Sequence, residues 1–188
     1  MNYRKFDMNI ASAADVVNVR EMFKMRVYAK ISIAGNSETE KRTPVDYNGG
    51  INPTWNFPLS YWIPDWAIQN DDASARVQID LYCERTLGDR YIGGVSIPLK
   101  KLFLDEKIKG MSCSTYCVLG EAREMGTVNF SHHFGDVEKL VFPQQSQGPS
   151  GSRWEMVAGN VVGVVISNVV EGTVSAVVDG AFGLSAVM

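Results

Sequence analysis

The sequence predicts an all-β domain, an eight-stranded antiparallel sandwich, followed by a linker and a hydrophobic tail. Three observations predict it. Residues 1–134 break into short segments rich in β-branched and aromatic residues, several of them alternating apolar and polar. Turn chemistry separates these segments at regular spacing. No stretch of this body long enough for an ordinary helix carries a 3.6-residue apolar period.

The elements follow in order. Residues 3–10 alternate, with Phe6, Met8 and Ile10 on one face. Residues 26–33 (RVYAKISI) form the next strand, and Ala34-Gly35-Asn36-Ser37 is a turn. Residues 39–45 read as a return strand, and Tyr47-Asn48-Gly49-Gly50 as another turn. In residues 55–63 (WNFPLSYWI), Pro58 points to an edge strand or a bulge. Residues 76–84 place Val77, Ile79, Leu81 and Cys83 on one face. Segments 91–99, 112–119 and 126–134 complete the set, with one short helical turn expected over 99–107.

Domain organisation follows from composition. Residues 1–134 are the folded unit, 135–155 a Pro/Gly/Ser/Gln linker, and 156–188 a Val/Gly-rich tail. The chain has 188 residues, 45% hydrophobic and 21% charged, enough to bury a core without staples. Lys+Arg 18 against Asp+Glu 21 gives a net charge of −3, which argues against nucleic acid as a partner. The charge is unevenly placed: every Lys and Arg precedes residue 154, while Glu155, Glu171 and Asp179 follow it. The opening residues lack a continuous apolar run after their basic residues, so a cytosolic chain with reduced thiols is expected. Cys83, Cys113 and Cys117 are read as buried or half-buried strand thiols, since zinc needs four ligands and His132-His133 would complete a site only by chance.

Several motifs carry a family resemblance. Asn52-Pro53-Thr54-Trp55-Asn56 matches the N-P-x-W-N signature of C2 domains. Ala14-Asp15-Val16 stands where such domains have A-x-D-L, and residues 24–29 (KMRVYA) where they have S-D-P-Y-V. Residues 87–93 (LGDRYIG) resemble D-x-x-I-G at the close of the third top loop. The match covers about residues 1–134 and is most similar to small plant C2 proteins of the cold-regulated and defence-related group. These also carry T-P-V-D and a Gly-Gly pair, here Thr43-Pro44-Val45-Asp46 with Gly49-Gly50, and run on into a low-complexity tail. Asn52, Pro53, Trp55 and Gly93 are read as scaffold: a turn, an apolar anchor between the sheets, and a close backbone approach.

The resemblance implies a C2-type sandwich working as a membrane-recruited adaptor in plant stress or defence signalling, located in the cytoplasm and peripherally at the plasma membrane. It also sets a test for calcium, a hard cation taking six to eight oxygens. The ligand positions fall near Arg20, beside Glu21, and on Arg26, Tyr82, Glu84 and Arg90. Asp15, Glu84 and Asp89 remain as weak metal candidates. Two arginines oppose a divalent ion where carboxylates are needed, so no cofactor is expected and calcium is disfavoured.

The same replacements point to lipid. Arg20, Lys24 and Arg26 of the first loop would face Arg85 and Arg90 of the third, with Met22 and Phe23 at the crest. Cations beside apolar residues suit an anionic membrane, each contributing on the order of 1 kcal/mol near the surface. Lys30, Lys41 and Arg42 form a second basic patch, on strands that C2 domains use for phosphoinositides. Two readings stand for the tip: free basic residues meeting lipid, or arginines neutralised by Glu21, Glu84 and Asp89. Two alternatives stand beside calcium-independent lipid binding: a protein–protein interaction module using the same loops, and a weak calcium-dependent phospholipid binder. An anionic phospholipid membrane and an unidentified protein are the expected partners.

In the tail, Asn160, Gly163, Ser167, Glu171, Ser175 and Asp179 would trace a polar stripe on a valine-rich helix. Packing or homo-oligomerisation, membrane association and a mobile tail are the three readings. No catalytic constellation is present: no Walker loop, nucleophile elbow, H-E-x-x-H or dinucleotide fingerprint, and His132 and His133 point to opposite faces of a strand. A non-enzyme is expected.

Overall fold

The computed structural model describes residues 2–20, 22–69, 75–110 and 113–139. The expectations for Glu21, for residues 140–155 of the linker and for the tail over 156–188 lie outside the described residues. The elements are β1 (Asn2–Ala14), β2 (Val27–Ile33), a 3-10 turn (Ser37–Thr39), β3 (Lys41–Arg42), β4 (Thr54–Pro64), α1 (Asp65–Gln69), β5 (Arg76–Cys83), β6 (Arg90–Pro98), α2 (Leu99–Lys109), β7 (Cys113–Leu119) and β8 (Glu124–Lys139).

All strand pairs are antiparallel, in the order β3-β2-β5-β6-β7-β8-β1-β4. One ladder pair, Gly94 with Leu119, joins β6 to β7. There the sheet turns over into two facing layers, β3-β2-β5-β6 and β7-β8-β1-β4. A Cβ on Gly93 would lie 2.7 Å from the Leu119 carbonyl oxygen, so only glycine admits this approach.

Alternation supplies the core. Val27, Ala29, Ile31, Val77, Ile79 and Leu81 of one layer are fully buried against Phe6, Met8, Ile10, Val128 and Phe130 of the other. Side chains from β4 and β3 then close the open side. Trp55 Nε1 donates to Val27 O at 3.2 Å, and the Tyr61 hydroxyl to Ile31 O at 3.0 Å. Lys41 Nζ donates to Ser60 O at 3.0 Å. β4 lies at the sheet edge, as Pro58 requires.

The sequence reading and the structure differ most in four elements, apart from β1, which runs on from the expected 3–10 to Ala14. The return strand expected over 39–45 shrinks to Lys41–Arg42: Pro44 has no N–H, and pairing with β2 resumes only as a bridge between Val27 and Asp46. The turn expected over 99–107 is an eleven-residue helix, α2, ended by Gly110 in the left-handed conformation. Its apolar period is obscured because Leu104 and Ile108 are exposed while Leu99 and Leu102 are buried. The sequence pattern gives no sign of the short helix α1; it buries Ala67 and Ile68, and Arg4 holds Asp65 at 2.9 Å. Finally, β8 runs past the expected boundary at 134 to Lys139, pairing with β1 as far as Asn2. Among the described residues no helix is long and apolar enough to cross a membrane.

Candidate functional site

Four connections gather at one end of the sandwich: β1–β2 (15–26), β3–β4 (43–53), β5–β6 (84–89) and β7–β8 (120–123). Backbone groups tie them together. Val16 N donates to Ile51 O at 3.0 Å and Val17 N to Met125 O at 2.9 Å. Asp15, in a left-handed conformation with φ 52, donates its N–H to Asn52 Oδ1 at 2.9 Å. Arg90 Nη1 reaches Val19 O at 3.3 Å, linking the start of β6 to the first loop.

The β3–β4 connection is organised by Asp46. Burial works against its charge, but the N–H groups of Thr54 (2.8 Å), Asn48 (2.7 Å) and Gly49 (2.9 Å) outweigh that and hold the carboxyl below the usual range. This built turn carries Tyr47 and Ile51, both exposed. At the neighbouring crests Met22 is 87% exposed and Leu87 97%, with Phe23 also outward. Five apolar side chains thus stand out on three loops at one end. Leu87, Tyr47 and Ile51 were not among the sequence candidates; an apolar residue isolated within turn chemistry was the available signal.

The basic residues fall into two groups. Around the crests, Arg20 donates to Lys24 O at 3.4 Å and lies 5.0 Å from the Phe23 ring, without an ion pair to a described residue. Lys24 is exposed and close to Gly50, and its charge bears on Asp46. Arg85 Nε donates to Gly88 O at 3.2 Å. The second group is engaged. Arg26 and Arg42 stand 4.0 and 3.9 Å from the two Glu84 oxygens, and Arg42 lies 3.7 Å over the Tyr28 ring. Lys30 pairs with Glu40 at 2.8 Å, a bond that raises the ammonium's pKa.

Lys41 does not join Lys30 and Arg42. Adjacent residues of a strand face opposite sides, and Lys41 turns inward to Ser60 O and the Tyr61 ring, where burial lowers its pKa. The second patch on this face is therefore Lys30 and Arg42, each with an acidic neighbour.

The metal candidates are spread apart in their bonding. Glu84 is drawn to Arg26 and Arg42, and Asp89 accepts from the Tyr28 hydroxyl at 2.7 Å and from Arg85 N at 3.2 Å. Asp15 is exposed beside Asn52. Among the described residues no three His, Cys, Asp or Glu side chains gather as a metal group would require. Cys83 is buried and Cys117 half-buried, but Cys113 is exposed, because β7 turns that position to solvent. His132 is buried and His133 exposed, on opposite faces of β8.

Comparison with known proteins completes the description. The C2 domain family profile matches residues 4–114. The chain is 37% identical over 141 residues to Protein SRC2 of Glycine max, covering 72% of this chain and 48% of that protein. It is 32% identical over 151 residues to the Protein SRC2 homolog of Arabidopsis thaliana, covering 79% and 45%. The chain spans about half the length of these curated relatives. Among solved structures, a C2 domain of plant Extended Synaptotagmin 1 superposes with a TM-score of 0.57 at 16% identity, over 70% of this chain and 93% of that one. The tandem C2 domains of Extended-Synaptotagmin 2 give 0.53 at 14%, over 69% and 40%. At such identities the structures show the shared fold alone.

Proposed function

The chain belongs to the C2 domain family, and from that membership we propose that it is a non-catalytic module that docks on anionic phospholipid membranes through its loop end, without calcium. The observation that carries the reading is the pairing of exposed apolar crests, Met22 and Leu87, with Arg20, Lys24, Arg85 and Arg90, none of them ion-paired to a described residue. Apolar tips gain by leaving water, and cations gain near an anionic surface, each on the order of 1 kcal/mol. Two of the three candidate acids are meanwhile engaged: Glu84 by two arginines and Asp89 by Tyr28. A role as a peripheral adaptor in plant stress or defence signalling is part of the same proposal and rests on the sequence resemblance.

The test is vesicle sedimentation in EGTA, with phosphatidylcholine alone and with phosphatidylserine added. Binding is expected only to the anionic vesicles, weakened by salt and by Met22→Asp with Leu87→Asp, and lost in Arg20→Glu/Arg26→Glu/Arg90→Glu. A requirement for calcium, or indifference to the loop substitutions, overturns the reading.

A further inference from the structure

Beside the apolar crests a cleft of about 580 Å³ opens between the β5–β6 loop and the β7–β8 turn. Arg85, Asp89 and Arg90 line one side, Glu121 and Arg123 the other, and Met125 contributes to the lining between them. We propose that this cleft is a binding site for a phosphomonoester-bearing lipid headgroup, with Arg123 as a recognition residue alongside Arg85 and Arg90. The inference rests on the membrane-docking reading above and adds to it a ligand chemistry and a place.

Charge and unused hydrogen-bond capacity support it. Three guanidiniums meet two carboxylates in the cleft, and one of those, Asp89, is occupied by the Tyr28 hydroxyl and by Arg85 N. A guanidinium carries five N–H donors. Arg85 and Arg90 each spend a donor on one carbonyl, Gly88 O at 3.2 Å and Val19 O at 3.3 Å. The Arg123 side chain makes no hydrogen bond or ion pair to a described residue. All three guanidiniums are exposed, so their remaining donors face water and are available to an incoming anion, and the guanidinium fork matches paired phosphate oxygens.

Shape narrows the ligand. The volume lies within the roughly 300–1,000 Å³ range of small-molecule sites, so a phosphate carried on a ring or a glycerol fits its size better than bare inorganic phosphate. The walls are also fixed. Gly120 N donates to Arg123 O at 2.9 Å, closing the turn that carries Arg123. A Cβ on Gly120 would stand 2.8 Å from Met125 Cγ, so backbone and thioether are already in close contact at the base of that turn. Leu87 lies in the same loop as Arg85, and Arg90 follows that loop as the first residue of β6, which brings the cleft to the level where headgroups lie when the crests insert.

The experiment uses the full chain in EGTA. Calorimetry measures soluble inositol 1,4,5-trisphosphate and inorganic phosphate against the unaltered protein, Arg123→Glu, Arg123→Ala and, as a distant control, Arg76→Ala. Circular dichroism checks that each variant is folded. The trisphosphate is expected to bind more tightly than inorganic phosphate, with affinity falling about tenfold or more in Arg123→Glu, less in Arg123→Ala and not in Arg76→Ala. In a second arm, vesicles carrying a phosphorylated phosphoinositide should hold the protein more tightly than phosphatidylserine vesicles of equal charge, and Arg123→Glu should abolish that difference. No trisphosphate binding, equal binding of the two soluble anions, or indifference to Arg123→Glu overturns the cleft. Trisphosphate binding through Arg123 without any vesicle binding sustains the cleft and overturns membrane docking. Vesicle binding lost with the crest substitutions but unaffected at Arg123 does the reverse.

Discussion

The hydroxyl of Tyr28 donates to Asp89 Oδ2 at 2.7 Å, tying the outer face of β2 to the β5–β6 loop. The bond acts on both groups. Burial, with Asp89 next, pushes the Tyr28 hydroxyl well above its usual pKa, and the Tyr28 donor followed by Arg85 N holds the Asp89 carboxyl below its own. Tyr28 also stacks on Tyr82 at 5.5 Å, with Arg42 on its ring. The Asp89 carboxylate thus has two partners within the domain itself.

Tyr28→Phe removes the donor and keeps the ring. The Asp89 carboxyl should then titrate at higher pH than in the unaltered protein, closer to the ordinary carboxylate range. Carboxyl-carbon NMR titration reads this directly, and an unchanged midpoint would show that the bond contributes nothing.

Lys41 and Arg42 are neighbours in sequence with opposite surroundings, and their substitutions should separate. Lys41→Met removes the bond to Ser60 O that helps close the sandwich, and should lower stability by about 1 kcal/mol while leaving anionic-vesicle binding unchanged. Arg42→Ala, on the outer face, should cost less stability and weaken vesicle binding. Urea denaturation and sedimentation on the same samples check both; a loss of lipid binding in Lys41→Met would contradict its inward placement.

Asp46 holds three backbone N–H groups, and Asp46→Ala leaves all three without that acceptor. Because the site is half-exposed, water takes over in part, and a loss of about 1 kcal/mol is expected. The folded-state pKa is lowered, so this contribution is complete above the unfolded value near 3.9 and is lost as pH falls through the folded value. Acid titration of the melting temperature should therefore be flatter in Asp46→Ala below about pH 4.

His132 sets a second pH dependence. Its Nε2 lies 3.3 Å from Leu102 O, so Nε2 carries the proton, while Nδ1 is buried with no hydrogen-bond partner among the described residues. A charged ring would bury a second N–H among Phe6, Phe130 and Phe134. Burial is the chief cause that lowers its pKa, with His133 adding; the Leu102 bond and the charges of Glu106 and Asp105 oppose it. The unfolded ring protonates near pH 6.5 and the folded one only below that, so stability is full above about 6.5 and declines as pH falls. The melting temperature should drop between pH 7.5 and 5, and less so in His132→Phe. An equal drop in both would assign the effect to other groups.

How much was legible can be seen residue by residue. Alternation in 76–84 foretold the inward row Val77, Ile79, Leu81 and Cys83, because strand geometry has a fixed period of two. The N-P-x-W-N run carried the family, since its residues are needed wherever this turn is built. The second patch failed at Lys41: composition counts a cation but does not say which side of a two-residue strand it faces.

The sequence by itself determined the all-β architecture, the family and the basic, apolar character of the first loop, because these reside in local pattern. Tertiary structure decided what each charge meets. Arg26 and Arg42 converge on Glu84 although both are far from it in the chain, and Tyr28 of β2 takes Asp89 of the β5–β6 loop. Arg123, unremarkable in its turn, comes to face Arg85 and Arg90 only when β7 and β8 fold beside the third loop. Electrostatic effects depend on distance and on what lies between the charges, and neither is written in residue order.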